Sequence, residues 1–161
     1  VDNQLRPKVI QCDIHGANGL AFSADKRWMY TSDTPNGVIY RTPLDADGEP
    51  GTREIFRLFK DGEGIPDGAA IDEEGCYWSA MFDGWRVARF SPTGEQLAEY
   101  RLPVRCPTMV CFGGADMRTL FITTTRENMS ADEVAKYPLS GAIFTLPVAV
   151  AGMKKRPFIE R

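Results

Sequence analysis

The sequence predicts an all-β protein and, within that class, a β-propeller. Three observations carry the prediction. Short runs rich in β-branched and aromatic residues recur, each bounded by Gly, Pro, Asp or Asn. No stretch shows a convincing amphipathic helical period. A unit of roughly 40–50 residues also repeats, which is the size of one four-stranded propeller blade. A sandwich or barrel shares the first two features but has no reason to repeat itself.

The strand runs are Trp28–Thr31, Val38–Arg41, Ile55–Phe59, Cys76–Ser79, Arg86–Phe90 and Leu120–Thr123. Between them lie Asp47-Gly48, Glu74-Gly75, Pro92-Thr93-Gly94 and Gly113-Gly114, residue types that tolerate turn dihedrals. One or two helical turns are expected between Met129 and Lys136, with Ser130 as N-cap and Glu133 three residues on. The repeat emerges when Asn18-Gly19-Leu20-Ala21-Phe22-Ser23-Ala24-Asp25 is set against Asp67-Gly68-Ala69-Ala70-Ile71-Asp72-Glu73-Glu74 and Thr108-Met109-Val110-Cys111-Phe112-Gly113-Gly114-Ala115. Each unit opens on a small polar residue, runs through an apolar stretch, turns, and meets a second aromatic-rich strand.

These units predict about three blades, over 16–59, 66–102 and 106–146, the last with only three strands. Residues 8–14 read as an outer strand left from a preceding blade. Propellers close with about four to eight blades, so three cannot form a ring. The remaining blades are expected on the rest of a longer chain or on a second copy.

Composition narrows the function classes. A length of 161 residues predicts one domain. Acidic residues number 22 against 19 basic, a balance that argues against a nucleic-acid-binding face. No apolar run approaches the roughly 18–20 residues of a membrane helix, so no membrane partner is expected. Cys12, Cys76, Cys106 and Cys111 form no C-x-x-C pair, which speaks against a disulfide scaffold and a zinc ribbon. The first residue is Val1 rather than Met, and no signal-peptide pattern follows. That predicts a processed or partial product, with the cytoplasm as its compartment.

In a propeller, residues just before each innermost strand converge on the central axis. Asn18, Asp67 and Thr108 hold that position in the three units. An amide oxygen and a carboxylate meeting there are hard ligands, suited to Ca²⁺ or Mg²⁺ and less to Zn²⁺ or Mn²⁺. Ca²⁺ takes about six to eight oxygens, so waters and other blades would have to add donors. Asn18-Gly19 and Pro66-Asp67-Gly68 are also ordinary turn sequences. Their equivalent place in successive repeats is what points to a shared site. Asp33, Asp83 and Arg126 fall at the ends of second strands on the same face and are candidates for substrate contact, with a solvated loop residue as the alternative for each. His15 is the sole histidine and no Gly-x-Ser-x-Gly elbow is present, so a Ser-His-Asp triad is unsupported. Cys106 and Cys111 read as small buried hydrophobes or as thiols near the channel. Lys154-Lys155-Arg156 reads as a solvated basic tail.

The series Ala17-Asn18-Gly19-Leu20-Ala21-Phe22-Ser23, Ile65-Pro66-Asp67-Gly68 and Cys111-Phe112-Gly113-Gly114 resembles the gluconolactonase, regucalcin and senescence-marker-protein family. Asp72-Glu73-Glu74-Gly75 with Trp78, and Arg86-Val87 with Phe90-Ser91-Pro92-Thr93-Gly94, agree with it, as does Gly152 to Phe158. The resemblance implies the carboxyl-terminal half of a six-bladed propeller with one divalent metal on its axis. It implies hydrolysis of sugar lactones or related cyclic esters. Asn18 and Asp67 map onto family metal ligands, and Asp67 also onto the general base. The first-blade Glu ligand has no counterpart in this sequence. A non-catalytic calcium-binding or scaffolding propeller is the alternative, because fold does not dictate function.

Overall fold

In the computed structural model, which describes residues 6–154, three antiparallel sheets stand in sequence order. The first holds β1 (Ala17–Phe22), β2 (Trp28–Asp33), β3 (Val38–Pro43) and β4 (Glu54–Leu58). The second holds β5 (Ile65–Ile71), β6 (Tyr77–Phe82), β7 (Arg86–Phe90) and β8 (Gln96–Arg101). The third holds β9 (Pro107–Gly113), β10 (Thr119–Thr124) and β11 (Ile143–Pro147). Each sheet is a meander whose strands pair in chain order. The innermost strands β1, β5 and β9 lie next to one another, so the sheets succeed each other as blades about one axis. Among the described residues no helix is long and apolar enough to cross a membrane.

The burial pattern explains why these sequences form these strands. β6 is flanked by a sheet on each side and reads Tyr-Trp-Ser-Ala-Met-Phe with five of its six residues buried. β8, at the rim, alternates half-buried and exposed residues. Gly75 and Gly94 close two hairpin turns with φ of 79° and 87°, a region L-residues with a Cβ avoid. Two apolar layers cement the blades. Tyr30, Ile39, Phe56, Tyr77, Met81 and Phe90 fill the first, between sheets one and two. Trp78, Val87, Val110, Phe112, Leu120 and Ile122 fill the second, between sheets two and three.

The short helix α1 (Ala131–Lys136) sits in the β10–β11 connection, where one was expected. Ser130 Oγ accepts from the Glu133 N–H while the Glu133 carboxylate accepts from the Ser130 N–H, a full capping box.

Asp72 organises the far end of the second blade. It is fully buried, and its Oδ1 accepts from the Glu74 and Cys76 N–H groups. Its Oδ2 accepts from Trp78 Nε1 at 2.8 Å and from Arg89 Nε at 2.8 Å. Residues 151–153 return to this same end. The Glu73 N–H donates to the Ala151 carbonyl, the Met153 N–H to Ile71, and the Gly152 N–H to Met117 of the third blade.

Residues 8–14, expected as an outer strand, carry no strand in this structure. They have no ladder partner among the described residues. Side chains hold them to the first blade instead: Gln11 Nε2 donates to Thr42 Oγ1 at 2.8 Å, and Arg53 pairs with Asp13 at 2.9 Å. Val1, Lys155, Arg156 and Phe158, which entered the sequence reading, lie outside the described residues.

Candidate active site

Asn18 and Asp67 meet. The Asn18 amide nitrogen donates to Asp67 Oδ1 across the gap between the first and second blades. Local irregularity aims both side chains. Gly19 and Leu20 together oppose a single residue of β2, and Asp67 and Gly68 together oppose a single residue of β6. Each is a β-bulge, which bends its strand and re-aims the residue beside it. The third blade carries a similar irregularity, where Thr108 is skipped between the Pro107 and Met109 pairings with β10.

A rigid frame holds the Pro66-Asp67-Gly68 turn against the first blade. Thr34 Oγ1 donates to the Pro66 carbonyl at 2.7 Å and Ser32 Oγ to the Asp67 carbonyl at 3.3 Å. Tyr77, fully buried, donates its hydroxyl to the Gly19 carbonyl at 2.8 Å. That burial, with the nearby Tyr30 and Asp67, pushes the phenol well above its usual pKa. Ser32, Thr34 and Tyr77 were not singled out in the sequence. The one available signal was their place beside Asp33 and in the second strand of the next repeat.

Gly19 is where this frame is tightest. Its φ is +55°, and a Cβ there would run into Tyr77 Oη and Ser32 Oγ. Gly19→Ala is expected to destabilise by about 1–3 kcal/mol through overpacking and backbone strain. Urea unfolding measures the loss, and an unchanged midpoint would contradict this geometry.

Electrostatically the site is an acid held without a counter-charge. Asp67 is 8% exposed, and no Lys or Arg pairs with it among the described residues. Burial, and secondarily the charge of Glu127, push its pKa up to about 6. Glu127 is a site neighbour that the sequence reading did not find. It lies in a connection whose path local pattern does not fix.

The other candidates are placed as follows. Thr108 lies beside the Asp67 turn: its carbonyl is 2.6 Å from the Cβ position of Gly68, and its hydroxyl contacts Thr123 Oγ1 at 2.8 Å. Asp33 is buried and turned to its own blade, accepting from the His15 and Gly16 N–H groups and from Asn36 Nδ2. Burial works to raise its pKa, but those donors outweigh it and hold the carboxyl below its ordinary value. Asp83 has a left-handed backbone, φ 57°, and pairs with Arg105 at 3.0 Å. Arg126 gives its guanidinium to the Ser140 and Pro138 carbonyls of the loop after α1. Cys106 is buried with its thiol on Asp83, and burial pushes its pKa up. His15 contacts Asn36 through a ring nitrogen at 3.3 Å. Among the described residues no group of three or more His, Cys, Asp or Glu side chains converges on one point.

Comparison with known proteins finds relatives over nearly the whole chain. A 6-deoxy-6-sulfogluconolactonase of Pseudomonas putida is 58% identical over 153 residues, covering 94% of this chain and 53% of that protein. A regucalcin of Danio rerio is 39% identical over 134 residues, covering 81% and 45%. Among solved structures, a calcium-binding regucalcin from Agrobacterium tumefaciens superposes with a TM-score of 0.84 at 32% identity, covering 89% of this chain and 50% of that one. The chain therefore spans about half the length of the relatives it matches. Residues 1–126 match the model of the SMP-30/Gluconolactonase/LRE-like region. On that match, over more than half of its length, the chain belongs to the SMP-30/gluconolactonase/LRE-like family.

Proposed function

We propose that this chain forms the carboxyl-terminal half of a six-bladed propeller that hydrolyses sugar lactones with a divalent metal. The observation that carries the reading is the contact between Asn18 and Asp67 from neighbouring inner strands. The kinship with lactonases supports it, and the relative named for a sulfonated gluconolactone makes such lactones the first substrates to try. The remaining blades are proposed on the same longer polypeptide. A second copy of this chain is the alternative, which the mass of the folded protein distinguishes.

The residues fit a hard divalent cation. They offer a carboxylate that is buried with no protein cation opposite among the described residues, and an amide whose oxygen accepts from the Gly19 N–H and keeps a second lone pair for the ion. Asn18 and Asp67 would hold the ion, Ca²⁺ first, with Zn²⁺, Mg²⁺ or Mn²⁺ as alternatives. Bound there, it would supply Lewis-acid polarisation of the lactone carbonyl. Asp67 does the proton work: its carboxylate takes a proton from the attacking water. Asn18 fixes the carboxylate's orientation without adding charge. Ser32 and Thr34 hold the Asp67 turn and Tyr77 holds the Gly19 turn, which fixes the two side chains' backbones relative to each other.

The test is hydrolysis of glucono-1,5-lactone by the complete protein, with each of the four ions and with a chelator. Turnover that disappears on chelation and returns with a divalent ion is expected. A rate indifferent to the chelator overturns metal dependence. Tight Ca²⁺ binding without turnover favours the non-catalytic calcium-binding reading, for which the regucalcin neighbour gives support.

A further inference from the structure

The connection from β10 to β11, residues 125–142, is long for a blade that otherwise turns in a few residues. It leaves β10 at the same end of the sheets as Asn18 and Asp67. The path to Asp67 is short. Gly68 packs against the Thr108 carbonyl and the Met109 Cα, Thr108 touches Thr123, and the Thr125 N–H donates to the Cys106 carbonyl. Glu127 follows two residues later. Its carboxylate is exposed and makes no hydrogen bond or ion pair among the described residues, while its charge reaches Asp67.

Arg105 ties this connection down. Its guanidinium donates to Glu133 Oε1 at 2.8 Å and to the Asn128 carbonyl at 3.2 Å, and pairs with Asp83 at 3.0 Å. Asn128 sits next to Glu127 with a left-handed φ of 59°. Tyr137, at the end of α1, packs edge-on against Trp85 at 4.8 Å. The segment is therefore fixed on both sides of Glu127, and the free carboxylate is presented by a held backbone.

Resting on the lactonase reading above, we propose that Glu127 is a specificity-determining residue. It accepts hydrogen bonds from the hydroxyl groups of a polyhydroxylated lactone, and Arg105 is the positioning residue that holds its loop. An ionised carboxylate is acceptor-only, and sugar hydroxyls are donors that need such a group. Hydrogen bonds to a charged partner carry about ten- to hundredfold in affinity.

The experiment compares kcat/KM for glucono-1,5-lactone with kcat/KM for δ-valerolactone, which has no hydroxyls, in the complete protein. Glu127→Ala is expected to lower the ratio of the two about ten- to hundredfold, through KM of the sugar lactone. A partly misfolded sample lowers both rates and leaves the ratio alone. Arg105→Ala is expected to lower the same ratio, and the double variant to fall no further than Glu127→Ala alone. An unchanged ratio in Glu127→Ala overturns the specificity role. Additive effects in the double variant overturn the positioning role of Arg105. A wild-type protein active on neither lactone overturns the lactonase reading itself, and this inference with it.

Discussion

Asp67→Ala is expected to lower lactone kcat/KM in the complete protein by about 10²–10⁴-fold, the usual contribution of a general base. Metal binding is expected to weaken with it, because the same carboxylate is the charged donor proposed for the ion. Folding should not suffer. The substitution removes a buried acid whose charged form is disfavoured, so the thermal midpoint is expected to hold or rise. Kinetics and thermal unfolding on one preparation separate the two effects. Near-normal turnover in this variant would leave the proposed chemistry without its base.

The second large effect concerns stability alone. Asp72→Ala is expected to cost about 3–5 kcal/mol, the usual result of breaking a buried ion pair from one side. Several groups lose their acceptor at once: the Glu74 and Cys76 N–H groups, the Trp78 indole and the Arg89 guanidinium. Arg89 keeps Glu74 as a partner, which tempers the loss. Asp25 is the internal control. It makes related turn contacts with Ser23 and Arg27, but in water. Asp25→Ala should therefore change the urea midpoint much less. Equal midpoints for the two variants would remove Asp72 from its place as organiser of the blade.

Much of the architecture was legible because its determinants are local. The run Arg86–Phe90 is β7 to the residue, and Val38–Arg41 lies within β3. The Ser130 and Glu133 pair marked α1 because a capping box is read off a spacing of three. The contact between Asn18 and Asp67 was legible for a different reason: repetition singled out two turns that look ordinary alone. Residues at strand ends and in loops were harder. Asp33 and Arg126 carry polar groups that suit substrate, yet Asp33 holds the backbone of His15 and Gly16 leading into β1, and Arg126 braces the loop after α1. Which partner such a group takes is decided by the path of the chain around it, and residue type does not encode that path. Glu127 was missed for the same reason. Tyr77 was missed because a strand aromatic reads as core, and only tertiary contact shows its hydroxyl on Gly19. Residues 8–14 carry strand-like chemistry, but a strand needs a neighbour to pair with.

The return of residues 151–153 to Ile71, Glu73 and Met117 has a consequence for biosynthesis. The middle blade is translated well before the segment that seals its lower edge. A ribosome moving at roughly 5–20 residues per second leaves that edge open for several seconds while the third blade is still emerging. Contacts so distant along the chain also form slowly, since a long loop must close before they are rewarded. The nascent polypeptide therefore passes through an interval in which an assembled but unsealed sheet is exposed to chaperones and proteases, and the arrival of Gly152 ends it.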